Sequence, residues 1–400
     1  MDYILGVPNS RQDIRVPDDA MRHIVAALDM PTPRELYDAL SERGYVGQIE
    51  GRRALSLLAH RHVRRLRYLY LDEVPRDRLP RKENLLLVGP TGCGKTFAIE
   101  LLFREMLGLP TAIIDVTTLS ETGYVGGDVG SVLTRLLYSA NMDPAFGQIG
   151  VVCLDELDKI AGGSNNAVFA GAGTTKDVTG LGVQRELLKL LESTEVPVST
   201  GMDHSSYHEQ ILMRTDDITF VAAGAFSGLK TLTRRRASGL LGGMGFGQDR
   251  VEREGIAVKY TNAEMEDVSA FQSYGFLPEL VGRFARIVGF EPLDTDALTE
   301  ILRRQVLPAR RVEMELAGIA LEVDDDVVVR LVQQALARQT GARGLASALT
   351  RALEDAAFEA YSTRGTKAVR LTLDGTEIVA EVRRGAHWTR DAASPTEETQ

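Results

Sequence analysis

Leu85-Leu86-Leu87-Val88-Gly89-Pro90-Thr91-Gly92-Cys93-Gly94-Lys95-Thr96 joins four apolar residues to a loop matching G-x-x-x-x-G-K-[ST]. A helical pattern over Thr96–Met106 leaves that loop. A strand before and a helix after is the context in which this motif cradles phosphates. Gly89, Gly92 and Gly94 let backbone amides curl around an anion, and the helix N-terminus adds positive potential. Lys95 is placed to reach the β and γ phosphates, and Thr96 to hold Mg²⁺.

Outward from this loop, short apolar runs alternate with helical patterns. Leu85–Gly89, Ala112–Val116, Gly150–Leu154 and Ile218–Ala223 are predicted buried strands, since parallel strands covered on both faces read as continuous apolar runs. Thr96–Met106 and Asp128–Ala140 are predicted helices, the second with Val129, Val132, Leu133, Leu136 and Leu137 on one stripe. The alternation predicts an α/β domain with a mostly parallel sheet.

Val151-Val152-Cys153-Leu154-Asp155-Glu156 then delivers two carboxylates at the end of a buried strand, where α/β folds bind ligands. Asp155 is a candidate to hold Mg²⁺ through water, and Glu156 a candidate general base for an attacking water. Asp158 and Lys159 read as a solvated pair.

Residues 1–30 read as irregular. Thr32-Pro33-Arg34-Glu35 is a capping box that starts a helix ending at Gly44, and a longer arginine-rich helix follows from about Glu50 to Tyr70. Residues 161–182 and 237–249 are Gly-rich loops. After Pro292 the pattern turns helical over 295–317, 325–339 and 343–362, with a strand pair near 368–383. The expected organisation is an irregular segment 1–30, a large α/β domain 31–290, a small, mainly helical C-terminal domain 291–384 and a polar tail 385–400.

Composition narrows the class. The chain carries 46 Lys+Arg against 56 Asp+Glu, a net of −10, which argues against a nucleic-acid binder. No apolar run approaches the roughly 20 residues of a membrane helix, and no secretory signal opens the chain. Cys93 and Cys153 make neither a disulfide framework nor a four-cysteine zinc site, so a cytoplasmic setting is expected. Cys93 under the phosphates is read as a small residue at a variable motif position, with redox sensing as the alternative. His204 and His208 share a helical spacing but have no third ligand nearby, so a polar loop explains them better than a metal.

PTPRELYDAL (31–40), YVGQ (45–48), GPTGCGKT (89–96), TGYVGGDVGSVLTRLL (122–137), VVCLDELDKIA (151–161), TKDVTGLGVQRELLKLLEST (175–194), AAGAFSGL (222–229), GFLPELVGRFARIV (275–288) and TGARGLASAL (340–349) together closely resemble the ClpX family. These are hexameric AAA+ unfoldases, with a P-loop NTPase fold, that feed proteins to the ClpP peptidase. The resemblance runs from about 31 to 383. The related HslU family is a poorer match, because its large insertion after the magnesium motif is missing.

The resemblance implies an ATP- and Mg²⁺-dependent unfoldase, with Pro90, Thr91 and Cys93 completing the phosphate loop and Val46 and Gly47 beside adenine. It implies that Tyr124 and Val125 form an aromatic pore loop gripping unfolded or tagged protein substrates, and Lys176 and Asp177 a second pore loop. Arg283 resembles the arginine finger acting on a neighbouring subunit, hence a homo-hexamer, and Arg343 the sensor arginine of the small domain. Met244-Gly245-Phe246 resembles the tripeptide that docks a ClpP-type peptidase. Two departures stand out: no cysteine precedes Cys93, so the family's N-terminal zinc domain is not expected, and TGMDHSSYH (200–208) replaces a basic entrance loop. A ClpP-independent remodelling ATPase, acting on protein complexes or, less readily, nucleic acid, is the competing expectation.

Overall fold

The structure, a computed structural model, describes residues 18–120, 127–162, 178–192, 195–199, 210–229, 267–385 and 387–390. Its strands in the first part of the chain are β1 (Leu85–Val88), β2 (Thr111–Asp115), β3 (Leu119–Ser120), β4 (Gly127–Asp128), β5 (Val151–Asp155), β6 (Glu195–Ser199), β7 (Gln210–Arg214), β8 (Thr219–Gly224) and β9 (Arg286–Gly289). Five of them form one parallel sheet in the order β2-β5-β8-β1-β9.

Successive residues of a strand point to opposite faces, and here both faces are covered. Leu86, Val88, Val152, Leu154, Phe220 and Ala222 pack toward the helices Ser131–Ser139 and Val178–Leu191. Leu85, Leu87, Val151, Cys153, Val221 and Ala223 pack toward the helix Ile49–Tyr70 and the helix that begins at Lys95. Parallel alignment leaves all five carboxyl ends at one edge, where an α/β sheet gathers its ligand loops.

β9 was not among the expected strands. Its side chains are mostly half-buried or exposed, so no continuous apolar run announces it. The helix expected from Asp128 begins at Ser131, because Gly127–Asp128 pairs with Leu119–Ser120. Residues 178–182, expected within a loop, open the helix Val178–Leu191. The stretch 1–30 is not wholly irregular: Asp18–Ala27 is a helix whose Met21 and Val25 are buried in the core beneath Ile49–Tyr70. β6 and β7 form an antiparallel hairpin that the sequence pattern did not suggest.

The capping box is present at Thr32, whose hydroxyl accepts from Glu35 N–H at 3.2 Å while the Glu35 carboxylate accepts from Thr32 N–H at 2.7 Å. Hydrogen bonds from the Thr32 backbone and side chain hold the Glu35 carboxyl below its ordinary pKa.

The C-terminal part has its own core, centred on Leu302, Leu331, Val332, Leu345, Leu349 and Val369. Thr295–Ile301 and Leu307–Leu316 are joined through a π-helical stretch Leu302–Val306, and Asp325–Ala337 and Gly341–Ser362 complete the helices. The expected strand pair is a four-stranded sheet. β10 (Ala320–Val323), β11 (Thr366–Asp374), β12 (Glu377–Arg384) and β13 (His387–Arg390) lie side by side, β10 parallel to β11 and the rest antiparallel. β13 falls in the stretch read as polar tail. The Arg383 guanidinium over the Trp388 ring, 5.2 Å from its centroid, helps hold it there.

Candidate functional site

The loops after β1, β5 and β8 line a cavity of about 330 Å³, closed on the other side by the C-terminal unit. Val46, Thr91, Gly92, Cys93, Gly94, Lys95, Thr96, Asp155, Glu156 and Arg343 all line it. Residues spread over almost three hundred positions of sequence thus meet at one place.

The floor is the loop between β1 and the helix starting at Lys95. Gly92 (φ +76°) and Gly94 (φ +93°) are left-handed, a backbone alternation that turns successive N–H groups to one side and makes a concavity for anions. The Lys95 ammonium is buried and donates to the Gly89 carbonyl at 2.6 Å and the Pro90 carbonyl at 2.8 Å, with Cys93 Sγ at 3.8 Å. Gly89 and Pro90 therefore sit behind the cavity wall and orient the lysine. Burial pushes the Cys93 thiol up, more than the nearby Lys95 charge lowers it. A buried thiol that holds its proton favours the packing role over redox sensing.

The opposing wall comes from β5. Thr96 Oγ1 donates to Asp155 Oδ2 at 2.6 Å, and Glu156 N–H donates to Asp155 Oδ1 at 2.9 Å. Asp155 is half-buried and Glu156 exposed. Glu156 has a left-handed backbone, φ +57°, a sharp turn that starts the 3₁₀ turn Leu157–Ile160 right after the strand. A strained non-glycine residue at such a point is typical of functional sites. Asp158 corrects an expectation. Its carboxylate is buried and accepts from Ala225 N–H at 2.9 Å, tying β5 to the loop after β8, while only Lys159, 3.4 Å away, is solvated.

The third wall joins two units. Gly92 packs against the start of the helix Gly341–Ser362, where Ala342 N–H donates to the Gly92 carbonyl at 3.1 Å. A Cβ at Gly92 would stand 2.5 Å from the Thr340 carbonyl oxygen. Arg343 follows, exposed near the start of that helix. Gln48, itself left-handed, holds the chain between the units by accepting from Glu291 N–H at 2.8 Å and donating to the Glu291 carbonyl at 2.7 Å. Gly47 (φ +73°) makes the turn before it but does not line the cavity, whereas Val46 does.

Sequence reasoning missed Tyr45, Leu293, Ile301 and Gln305, which also line the cavity. Tyr45 donates to the Gly94 carbonyl at 3.1 Å, and burial raises its hydroxyl far above the ordinary tyrosine value. Tyr45 lay inside the YVGQ string, but Ile301 and Gln305 belong to an ordinary helical pattern with no motif to mark them.

Arg283 does not line the cavity. It follows the short helix Pro278–Val281 and pairs with Glu192 on the surface. Tyr124, Val125, Lys176, Asp177, Met244, Gly245, Phe246, His204 and His208 lie outside the described residues. Among the described residues there is no helix long and apolar enough to cross a membrane.

The geometry can hold a phosphorylated ligand: a glycine loop for phosphates, a buried ammonium, a hydroxyl–carboxylate pair, and an apolar end at Val46, Leu293 and Ile301. The comparisons agree. The family described as AAA domain (Cdc48 subfamily) matches residues 81–287, and the C-terminal, D2-small domain of ClpB protein matches 293–370. A protein of Treponema denticola, called ATP-dependent Clp protease ATP-binding subunit ClpX, is 35% identical over 343 residues, covering 84% of this chain and 79% of its own. Relatives of the same name from Borrelia duttonii (35% over 350 residues, 86% of this chain and 78% of the relative) and Azotobacter vinelandii (36% over 342 residues, 83% and 75%) are similar too.

Proposed function

The chain belongs to the ClpX family of AAA ATPases, and from that premise we propose that it is an ATP-driven protein unfoldase delivering substrate chains to a ClpP-type peptidase. The observation that carries this is the direct bond between the phosphate loop and the small unit, Ala342 N–H to the Gly92 carbonyl. A loop that responds to the state of a phosphate can thereby rotate one unit against the other, which is the mechanical stroke an unfoldase needs.

In this mechanism the amides of Gly92–Thr96 and the Lys95 ammonium hold the nucleotide phosphates. The Thr96 hydroxyl and Asp155 carboxylate offer the oxygen pair that a hard cation prefers; they would hold Mg²⁺, which would supply positive charge against the phosphates. Glu156, exposed beside them, accepts a proton from the water that attacks the γ-phosphate. Val46 and its neighbours take the adenine, and Arg343 senses the nucleotide from the small domain. Arg283, whose side chain stays 37% exposed away from its own cavity, acts as the arginine finger of the adjoining subunit. A finger acting in trans makes a homo-hexameric ring the working form.

Tyr124 and Val125, with Lys176 and Asp177, grip the unfolded or tagged polypeptide in the pore. Met244, Gly245 and Phe246 dock the peptidase. The large domain spans 31–290 and the small domain 291–384. A cytoplasmic setting suits these roles.

The test uses the purified chain with a ClpP-type peptidase and a stably folded protein carrying an unstructured tail. Release of acid-soluble peptides that requires ATP, the peptidase and Phe246 supports the proposal. Robust ATP hydrolysis with no peptide release for any of several tails would replace it with a peptidase-independent remodelling role.

A further inference from the structure

At the opposite edge of the sheet, near the amino ends of its strands, a second cavity of about 300 Å³ lies between the helix Ile49–Tyr70 and the segment 79–83. Leu58, Leu66, Leu79 and Pro80 give it apolar walls. Four cations border it with no ion pair among the described residues, Arg64, Arg65, Arg81 and Lys82, while a fifth, Arg61, pairs with Glu83. The Arg65 guanidinium donates to the Pro80 carbonyl, but its Nε is buried without a partner. Lys82 reaches inward to the Ile218 carbonyl at 3.0 Å and the Phe220 ring at 4.9 Å, and burial pushes its ammonium down to about 8. Two carboxylates line the cavity and both are engaged, Asp217 by Arg76 and Tyr70 and Glu83 by Arg61.

The charge is concentrated here. Residues 50–82 contain ten Arg and Lys against four Asp and Glu, in a chain whose net charge is −10. Half-buried Arg65 and Lys82 feel Asp217 and Asp216 only at a distance, without a direct ion pair, so an anionic partner at this place would be stabilised.

We propose that this cavity docks an acidic peptide segment, which inserts one bulky apolar side chain between Leu66 and Leu79 and sets its carboxylates against Arg65 and Arg81. An apolar recess rimmed by charge fits a single anchor residue, as at the centre of protein interfaces. A nucleic-acid surface would instead need open aromatic faces for bases. Tyr68 at the rim already carries Arg64 over its ring, at 5.3 Å.

Fluorescence anisotropy on the full chain tests this with three labelled probes: an Asp-Glu-Phe-Asp-Glu peptide, the same peptide with Ser for Phe, and a single-stranded oligonucleotide. The Phe peptide is expected to bind, with affinity falling at least about tenfold for the Ser peptide, for Arg81→Glu and for Arg65→Gln. Arg81 is exposed, so Arg81→Glu should keep the parent's melting midpoint, which separates lost docking from lost folding. No binding of the Phe peptide, equal binding of the Ser peptide, indifference to Arg81→Glu, or tighter binding of the oligonucleotide would each overturn the proposal. None of these results bears on ATP-driven unfolding.

Discussion

The Thr96 hydroxyl hydrogen-bonds to Asp155 Oδ2 at 2.6 Å across 59 residues of sequence. The end of β5 and the start of the phosphate-loop helix are thereby locked to each other before chemistry begins. Such preorganisation is how electrostatic stabilisation is obtained without reorganisation cost during the reaction.

Substituting Glu156 and Lys95 in turn should separate binding from chemistry. Glu156→Gln is expected to keep nucleotide affinity while slowing hydrolysis by about 10²–10⁴-fold, the range for loss of a general base. Lys95→Ala is expected to lose binding itself. Fluorescent-nucleotide titration beside a phosphate-release assay checks both. Equal loss of affinity in the two variants would mean that Glu156 contributes to binding rather than catalysis.

Two glycines with similar backbones provide an internal comparison. Gly92 has φ +76° and a Cβ there would meet the Thr340 carbonyl at 2.5 Å, whereas Gly108 has φ +62° with nothing within 4 Å. Gly108→Ala should cost only the left-handed penalty, about 1–2 kcal/mol. Gly92→Ala should cost more and also impair ATPase activity, because it forces the small unit away from the loop. Thermal melts with ATPase assays on the two variants decide this.

Asp217 sets an acid limit on stability. Burial alone would raise its carboxyl, but hydrogen bonds and charge from Arg76, with Tyr70, outweigh that and hold it below the ordinary 3.8. The folded pKa lies below the unfolded one, so the stabilisation is fully present above the unfolded value and fades as pH falls through the folded one. Asp217→Asn is expected to cost about 3 kcal/mol at pH 7, the low end for a broken buried pair because Arg76 is 35% exposed. The gap to the parent should shrink below pH 4, as denaturant melts across pH can show.

Arg283→Ala should slow hydrolysis by about 10³-fold while leaving nucleotide affinity nearly unchanged. Mixing it with Glu156→Gln subunits should restore activity, since each Glu156→Gln subunit brings an intact Arg283 to its neighbour. Mixed samples no more active than either variant alone would place Arg283 outside the catalytic contact.

Much of this was legible in the sequence because it is local. The phosphate loop, β5 with Asp155 and Glu156, and the Thr32 cap are each written in fewer than about a dozen adjacent residues. β9 was not legible, since an edge strand with half-exposed side chains leaves no apolar run. Gln305 and Ile301 were not legible either. They reach the site only because the C-terminal unit folds back onto Gly92, a juxtaposition that no local period encodes. Asp158 read as surface charge because its partner, the Ala225 N–H, is a backbone group 67 positions away.

The most direct test of the central claim is the loss of fluorescence from a stable, tailed fluorescent protein when chain and ATP are added without peptidase. Loss is expected that stops without ATP and is abolished by Glu156→Gln and Tyr124→Ala. Undiminished fluorescence with every tail, while ATP is hydrolysed at full rate, would contradict the claim that hydrolysis drives unfolding.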